Sequence, residues 1–297
     1  MSAHGPGAAP EALTLTTGDG WRIVARRFPV ADALSGRIVV AGATGVPQGF
    51  YQRFARFAQS RGYEVMTLDY RGIGLSAPET LKGFRTNYLD WARVDLATII
   101  EQVPEDGLPL YLVGHSYGGH ALGLLPNQQR ISRSAVFGTG AGWAGWMPPM
   151  ERLRVWLMWY LIGPILTRWK GYLPWSLLGM GEDLPLDVYR QWRDWCRNPN
   201  YFFDVPDMRD EIGGFRQVRS PIIAVNATDD RWAPPRSRDA FMRGYSASDW
   251  QAIDLTPQQL GLSELGHMGY FRAHSQALWE RTLKWFEGPE EELLRLR

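Results

Sequence analysis

The chain has 297 residues, 45% of them hydrophobic, enough for a large core and of a size that suits one α/β domain carrying an insertion. Its charges nearly cancel, 32 Lys and Arg against 31 Asp and Glu for a net charge of +1, and the absence of a basic block argues against a nucleic-acid partner. Cys196 is the only cysteine, which excludes an internal disulfide, and no Cys/His spacing suits a metal, so neither metal nor cofactor is expected.

Residues 1–12 read as a flexible lead. The opening MSAHGPGAAPEAL has neither a basic nor an apolar signal region, so the expected compartment is the cytoplasm. Residues 13–17 and 21–28 read as strands around the turn Gly18-Asp19-Gly20. Residues 37–41 (RIVVA) form a short apolar strand that leads into the loop GATGVPQG. Phe50, Phe54, Phe57 and Ala58 have helical spacing, and Gly62 ends that helix. A strand at 63–69 runs into Tyr70-Arg71-Gly72-Ile73-Gly74-Leu75-Ser76, and Leu89, Ala92, Leu96, Ile99 and Ile100 mark an amphipathic helix.

The stretch PLYLVGHSYGG at 109–119 then combines an apolar strand, the pattern G-x-S-x-G and the start of a helix. A strand that reverses straight into a helix crowds the backbone around the serine. The flanking Gly114 and Gly118 must therefore lack a Cβ, and Ser116 is expected in a strained conformation at the positive end of a helix. A sixth strand is expected at 133–138. The strand–helix rhythm breaks over 141–210 and resumes with a strand at 221–226, a helix at 236–243, a strand at 250–255 and a terminal helix carrying Trp279, Leu283 and Phe286. This alternation predicts an α/β fold: a mostly parallel sheet with helices on both faces and its ligand site at the carboxyl ends of the strands, where Ser116 falls. The expected division is a core of residues 1–140 and 211–297, with a Trp-rich helical cap of residues 141–210 inserted after the sixth strand.

A serine hydroxyl needs an imidazole base, and the base needs a carboxylate to orient it. In this architecture the chain order is serine, acid, histidine. Of the five histidines, His4, His115, His120, His267 and His274, His267 is favoured because it lies in the loop between the last strand and the last helix; His274 is the runner-up. Asp229 and Asp230 both follow the strand at 221–226. Asp230 is favoured because its turn ends in a proline that begins the next helix, leaving Asp229 to cap or face solvent.

The stretches ATGVPQGFYQRFA, DYRGIGLS, GHSYGG, NATDDRWAPP and LGHMGYFR together resemble the α/β-hydrolase superfamily, and specifically its serine aminopeptidase/monoglyceride-lipase-like branch. The resemblance runs from about residue 36 to 290 and implies a triad of Ser116, Asp230 and His267. One departure is the missing His-Gly after the third strand, replaced by Thr44-Gly45 or Ala41-Gly42. Backbone amides are needed to hold the oxyanion. Tyr117 is the natural first donor; the second is Val46 if Thr44-Gly45 is the replacement, Ala43 if Ala41-Gly42 is, and Val46 is chosen. Asp69 and Arg71 are expected to tie loops together.

Eight of the 14 tryptophans lie between Trp143 and Trp195. The apolar run 155–167 contains Gly163-Pro164 and falls short of the roughly 20 residues that cross a bilayer. Two readings of this insertion follow: a cap with its own small core, or an apolar acyl tunnel or surface that touches a membrane or another chain. Residues 179–185 look hinge-like, and Trp192, Trp195 and Tyr201 are candidates for the entrance. Only Glu182 and Asp183 resemble a carboxylate pair for a peptide amine, so a hydrophobic ester or thioester is favoured over a peptide. The other readings are acyl transfer to an alcohol or amine, a peptidase of the serine aminopeptidase type, and a ligand-binding module without catalysis.

Overall fold

A computed structural model of the protein describes residues 8–31 and 34–288. The apolar runs become β1 (Glu11–Thr16), β2 (Arg22–Phe28), β3 (Gly36–Ala41), β4 (Tyr63–Asp69), β5 (Leu110–His115), β6 (Ile131–Phe137), β7 (Ile222–Ala227) and β8 (Trp250–Leu255). Among the described residues they form one sheet in the order β1-β2-β4-β3-β5-β6-β7-β8. The β1–β2 and β2–β4 pairings are antiparallel and the rest are parallel. β3, β4, β5 and β7 are buried along their whole length, as strands covered on both faces must be.

Helices α1 (Gln52–Gln59), α2 (Ala97–Glu101), α3 (Tyr117–Ala121), α4 (Pro149–Leu157), α5 (Gly163–Lys170), α6 (Leu186–Trp195), α7 (Pro235–Met242) and α8 (Gln276–Glu287) accompany the sheet. Phe54 and Ala58 of α1 and Trp279, Leu283 and Phe286 of α8 fill one face. Ile99 and Ile100 of α2, Ala121 of α3 and Phe241 of α7 fill the other.

The helices between β6 and β7 depart from expectation in two ways, the burial of Trp192, Trp195 and Tyr201 and a core shared with the sheet. Gly163-Pro164 does not break the helix: α4 passes through a π-helical stretch, Met158–Ile162, directly into α5. The wider turn accommodates a proline that cannot donate to the preceding turn. Trp192, Trp195 and Tyr201 are buried rather than at an entrance; Trp195 packs 5.4 Å from Tyr88 and Tyr201 4.8 Å from His120, centroid to centroid. The buried side chains of this segment, including Val155, Trp159 and Trp175, join the same apolar cluster as Tyr117 and Leu122 instead of forming a core of their own.

Residues 179–185 are anchored on the sheet's loops. Gly179 and Gly181 have φ of 66° and 139°, and the Glu182 amide donates to the Gly45 carbonyl at 2.8 Å. Met150, Leu153, Trp156, Leu161, Ile165 and Trp169 along α4 to α5 are exposed, Trp169 by 67%. Among the described residues no helix is long and apolar enough to cross a membrane.

Candidate active site

Ser116 stands between β5 and α3 with φ 52° and ψ −106°, a positive φ that costs a residue other than glycine about 1–3 kcal/mol. Its amide donates to Phe137 O at 2.8 Å, and its carbonyl accepts from Gly119 N and Thr139 Oγ1, each at 3.0 Å. The neighbouring glycines are sterically required. A Cβ on Gly114 would lie 2.7 Å from the Gly118 carbonyl carbon, and one on Gly118 only 2.0 Å from Ala41 O.

His267, in the loop after β8, places Nδ1 2.8 Å from Asp230 Oδ2. Asp230 is buried; its Oδ1 accepts the Trp232 and Ala233 amides at 2.9 Å each, and Tyr270 Oη donates to Oδ2 at 3.2 Å. Burial alone pushes the Asp230 carboxyl up, but His267 and the two amides outweigh it and hold the group below the usual carboxylate range. The carboxylate therefore fixes a proton on Nδ1.

The His267 ring lies against Gly138, where a Cβ would come within 3.2 Å of it, and Gly138 directly follows the residue that accepts the Ser116 amide. Among the described residues no hydrogen bond joins the Ser116 hydroxyl to His267. Such links commonly tighten only when substrate binds. Asp229 does a different job: its oxygens accept the Leu265 and Gly266 amides at 2.9 and 3.0 Å, pinning the loop that carries His267. His274 is exposed. His120 is buried and donates Nε2–H to Gly140 O at 2.9 Å.

The turn after β3 carries both amides considered for the second oxyanion donor. Val46 N–H closes the turn onto Ala43 O at 3.2 Å, and Ala43 N–H donates to Tyr51 Oη at 2.8 Å, so both candidate amides are engaged. The turn needs Gly45 at φ 67°, a geometry legible only once Tyr51 and Glu182 are in place around it. The Thr44, Gly45 and Tyr117 amides have no hydrogen-bond partner among the described residues. Thr44 Oγ1 bonds to Tyr88 Oη, and Tyr88 stacks on Tyr117 at 4.3 Å.

Loops around the site are tied as the DYRGIGLS segment suggests. Asp69 accepts the Gln48 amide at 2.7 Å and the Leu75 amide at 3.1 Å; Arg71 pairs with Asp95 at 2.7 Å and with Asp19. A groove of about 710 Å³ beside the acid turn is lined by Pro148, Asp229, Asp230, Arg231 and Glu264 among others; Ser116 is not part of its lining. Sequence reasoning passed over Tyr51 and His115, whose rings join the turn after β3 to the histidine loop. The only available signal was a histidine directly preceding the serine.

No curated protein gives a significant match to the sequence. Solved structures with the same fold include DcsB in complex with its substrate analogue, 16% identical over 94% of this chain and 99% of that one, TM-score 0.63. They also include a soluble variant of monoglyceride lipase from Saccharomyces cerevisiae, 18% identical over 95% and 97%, TM-score 0.64. A thioesterase domain from the curacin biosynthetic pathway is 15% identical over 93% and 100%, TM-score 0.58. The model of the alpha/beta hydrolase family matches residues 9–280, nearly the whole chain, and the chain belongs to that family.

Proposed function

We propose that the protein is a serine hydrolase that cleaves a hydrophobic carboxylic ester or thioester through an acyl-enzyme. The observation that carries this reading is the pairing of a strained, glycine-flanked Ser116 with a buried Asp230–His267 couple at the same end of the sheet. In the proposed reaction His267 Nε2 takes the Ser116 proton as Oγ attacks the carbonyl carbon. Asp230 keeps the imidazole oriented and stabilises its charged form. The Tyr117 and Thr44 amides, both unengaged, hold the oxyanion, each contributing on the order of 10²-fold in rate. His267 then gives its proton to the departing alcohol or thiol and activates water against the acyl-enzyme.

The helices between β6 and β7 act as a cap in this reading, because they dock on the turn that presents Thr44 and on Tyr88 beside Tyr117. Their composition favours an apolar acyl group. A peptide amine finds little support: Asp183 is occupied by the Ser176 amide and hydroxyl at 3.0 and 2.6 Å, and Glu182 is exposed. The exposed apolar row on α4 and α5, with Arg152, Arg154, Arg168 and Lys170 at its two ends, suits peripheral contact with a lipid surface from which such a substrate would come. Hydrolysis of p-nitrophenyl esters from acetate to palmitate tests the substrate class, with kcat/KM expected to rise beyond butyrate. A profile that falls with every added methylene contradicts an apolar acyl site.

A further inference from the structure

We infer that Tyr51 and His115 are positioning residues that hold the oxyanion turn and the base loop in fixed register through one directed chain of hydrogen bonds. The inference rests on the serine-hydrolase reading of the site.

The direction of the chain follows from what each atom can do. His115 Nε2 lies 2.9 Å from the His267 carbonyl oxygen, which only accepts, so Nε2 carries the ring proton. His115 Nδ1 is then bare and accepts from Tyr51 Oη at 2.9 Å. That hydroxyl, having spent its proton, accepts the Ala43 amide at 2.8 Å. Reversing the ring tautomer makes Nδ1–H the donor to Tyr51 Oη, leaves the hydroxyl proton without an acceptor among the described residues and sets a bare Nε2 against the His267 carbonyl oxygen, so one arrangement satisfies every group.

The chain begins at the first residue of the turn that presents Thr44 and ends on the backbone of the proposed base. Between them it passes through the residue next to Ser116. Tyr51 and His115 are both buried, and Phe271 packs 5.0 Å from the Tyr51 ring and 5.2 Å from the His115 ring. Burial, with His267 nearby, pushes the His115 pKa down to about 3, so the ring stays neutral and the donor order holds at ordinary pH. A buried polar pair that served packing alone would not need to connect these two loops.

The test uses the full chain and a p-nitrophenyl ester. Tyr51→Phe and His115→Leu should lower kcat by about 10- to 100-fold with KM within threefold, because a displaced donor or base costs rate more than binding. His115→Gln, which keeps an N–H for the His267 carbonyl, should recover part of the loss. Loss of turnover in Ser116→Ala alongside folded Tyr51→Phe and His115→Leu variants with wild-type kcat would overturn the positioning role while leaving the hydrolase reading intact. Turnover that survives Ser116→Ala would sink the hydrolase reading instead. Imidazole ¹⁵N spectra of the wild-type protein decide the geometry even where a variant fails to fold. A proton on His115 Nε2 is expected, and one on Nδ1 refutes the chain.

Discussion

Asp229 and Asp230 are adjacent in sequence yet act on different parts of one loop. Asp230 accepts the His267 ring at 2.8 Å, whereas Asp229 accepts the Leu265 and Gly266 amides just before that histidine. One carboxylate orients the imidazole and the other holds the backbone that carries it. Asp230→Asn should therefore lower kcat by about 10³- to 10⁴-fold, since an amide stabilises the wrong ring tautomer and cannot support the imidazolium. Asp229→Ala should cost about 1–3 kcal/mol of stability and far less rate. Steady-state kinetics with urea unfolding separates the two; equal kinetic losses would contradict the division of labour.

Gly118 gives a steric prediction. Its absent Cβ would sit 2.0 Å from Ala41 O, a backbone atom that cannot move without shifting β3. Gly118→Ala should lose about 3 kcal/mol or fail to fold, at the upper end of overpacking costs. Gly213→Ala, where nothing among the described residues lies within 4 Å, is the matched control and should leave the melting temperature near wild type. A Gly118→Ala protein that melts with the wild type would mean that β5 and α3 sit farther from β3 than described.

Part of the acid sensitivity should be traceable to His120, alongside the buried and neutral His115. His120 Nε2 donates to Gly140 O, its buried Nδ1 has no partner among the described residues, and burial pushes its pKa from 6.5 down to about 4. Between those values the unfolded chain binds the proton and the folded chain does not. The contribution of His120 to stability is thus complete above pH 6.5 and falls as the pH drops toward 4, by about 1.4 kcal/mol per unit. Urea unfolding at pH 7 and pH 5 should show a smaller drop in His120→Gln than in the wild type. Parallel curves would show that His120 is charged or exposed in the folded state.

The strands were legible because parallel strands covered on both faces must be continuously apolar, as RIVVA and PIIAVN are. The elbow was legible because Gly114 and Gly118 have one steric explanation. The aspartate and histidine loops followed from chain order, which does not depend on fine geometry. What escaped the sequence depends on side chains distant in the chain. Whether the Ala43 or Val46 amide is engaged is set by the Tyr51 hydroxyl and by a turn around Gly45 onto which Glu182 docks. The continuous helix through Gly163-Pro164 requires a π-helical stretch that composition does not announce. Trp192, Trp195 and Tyr201, read as an entrance, proved to be packing, the two tryptophans for Tyr88 and Tyr201 for His120, because one apolar pattern serves a tunnel and a core equally.

The most direct measurement is labelling by a fluorophosphonate probe, comparing the wild type with a folded Ser116→Ala variant. Labelling of the wild type that disappears in Ser116→Ala is the expected result and identifies the nucleophile. Equal labelling of both proteins, or none of a folded wild type to which the probe has access, would contradict a serine hydrolase built on Ser116.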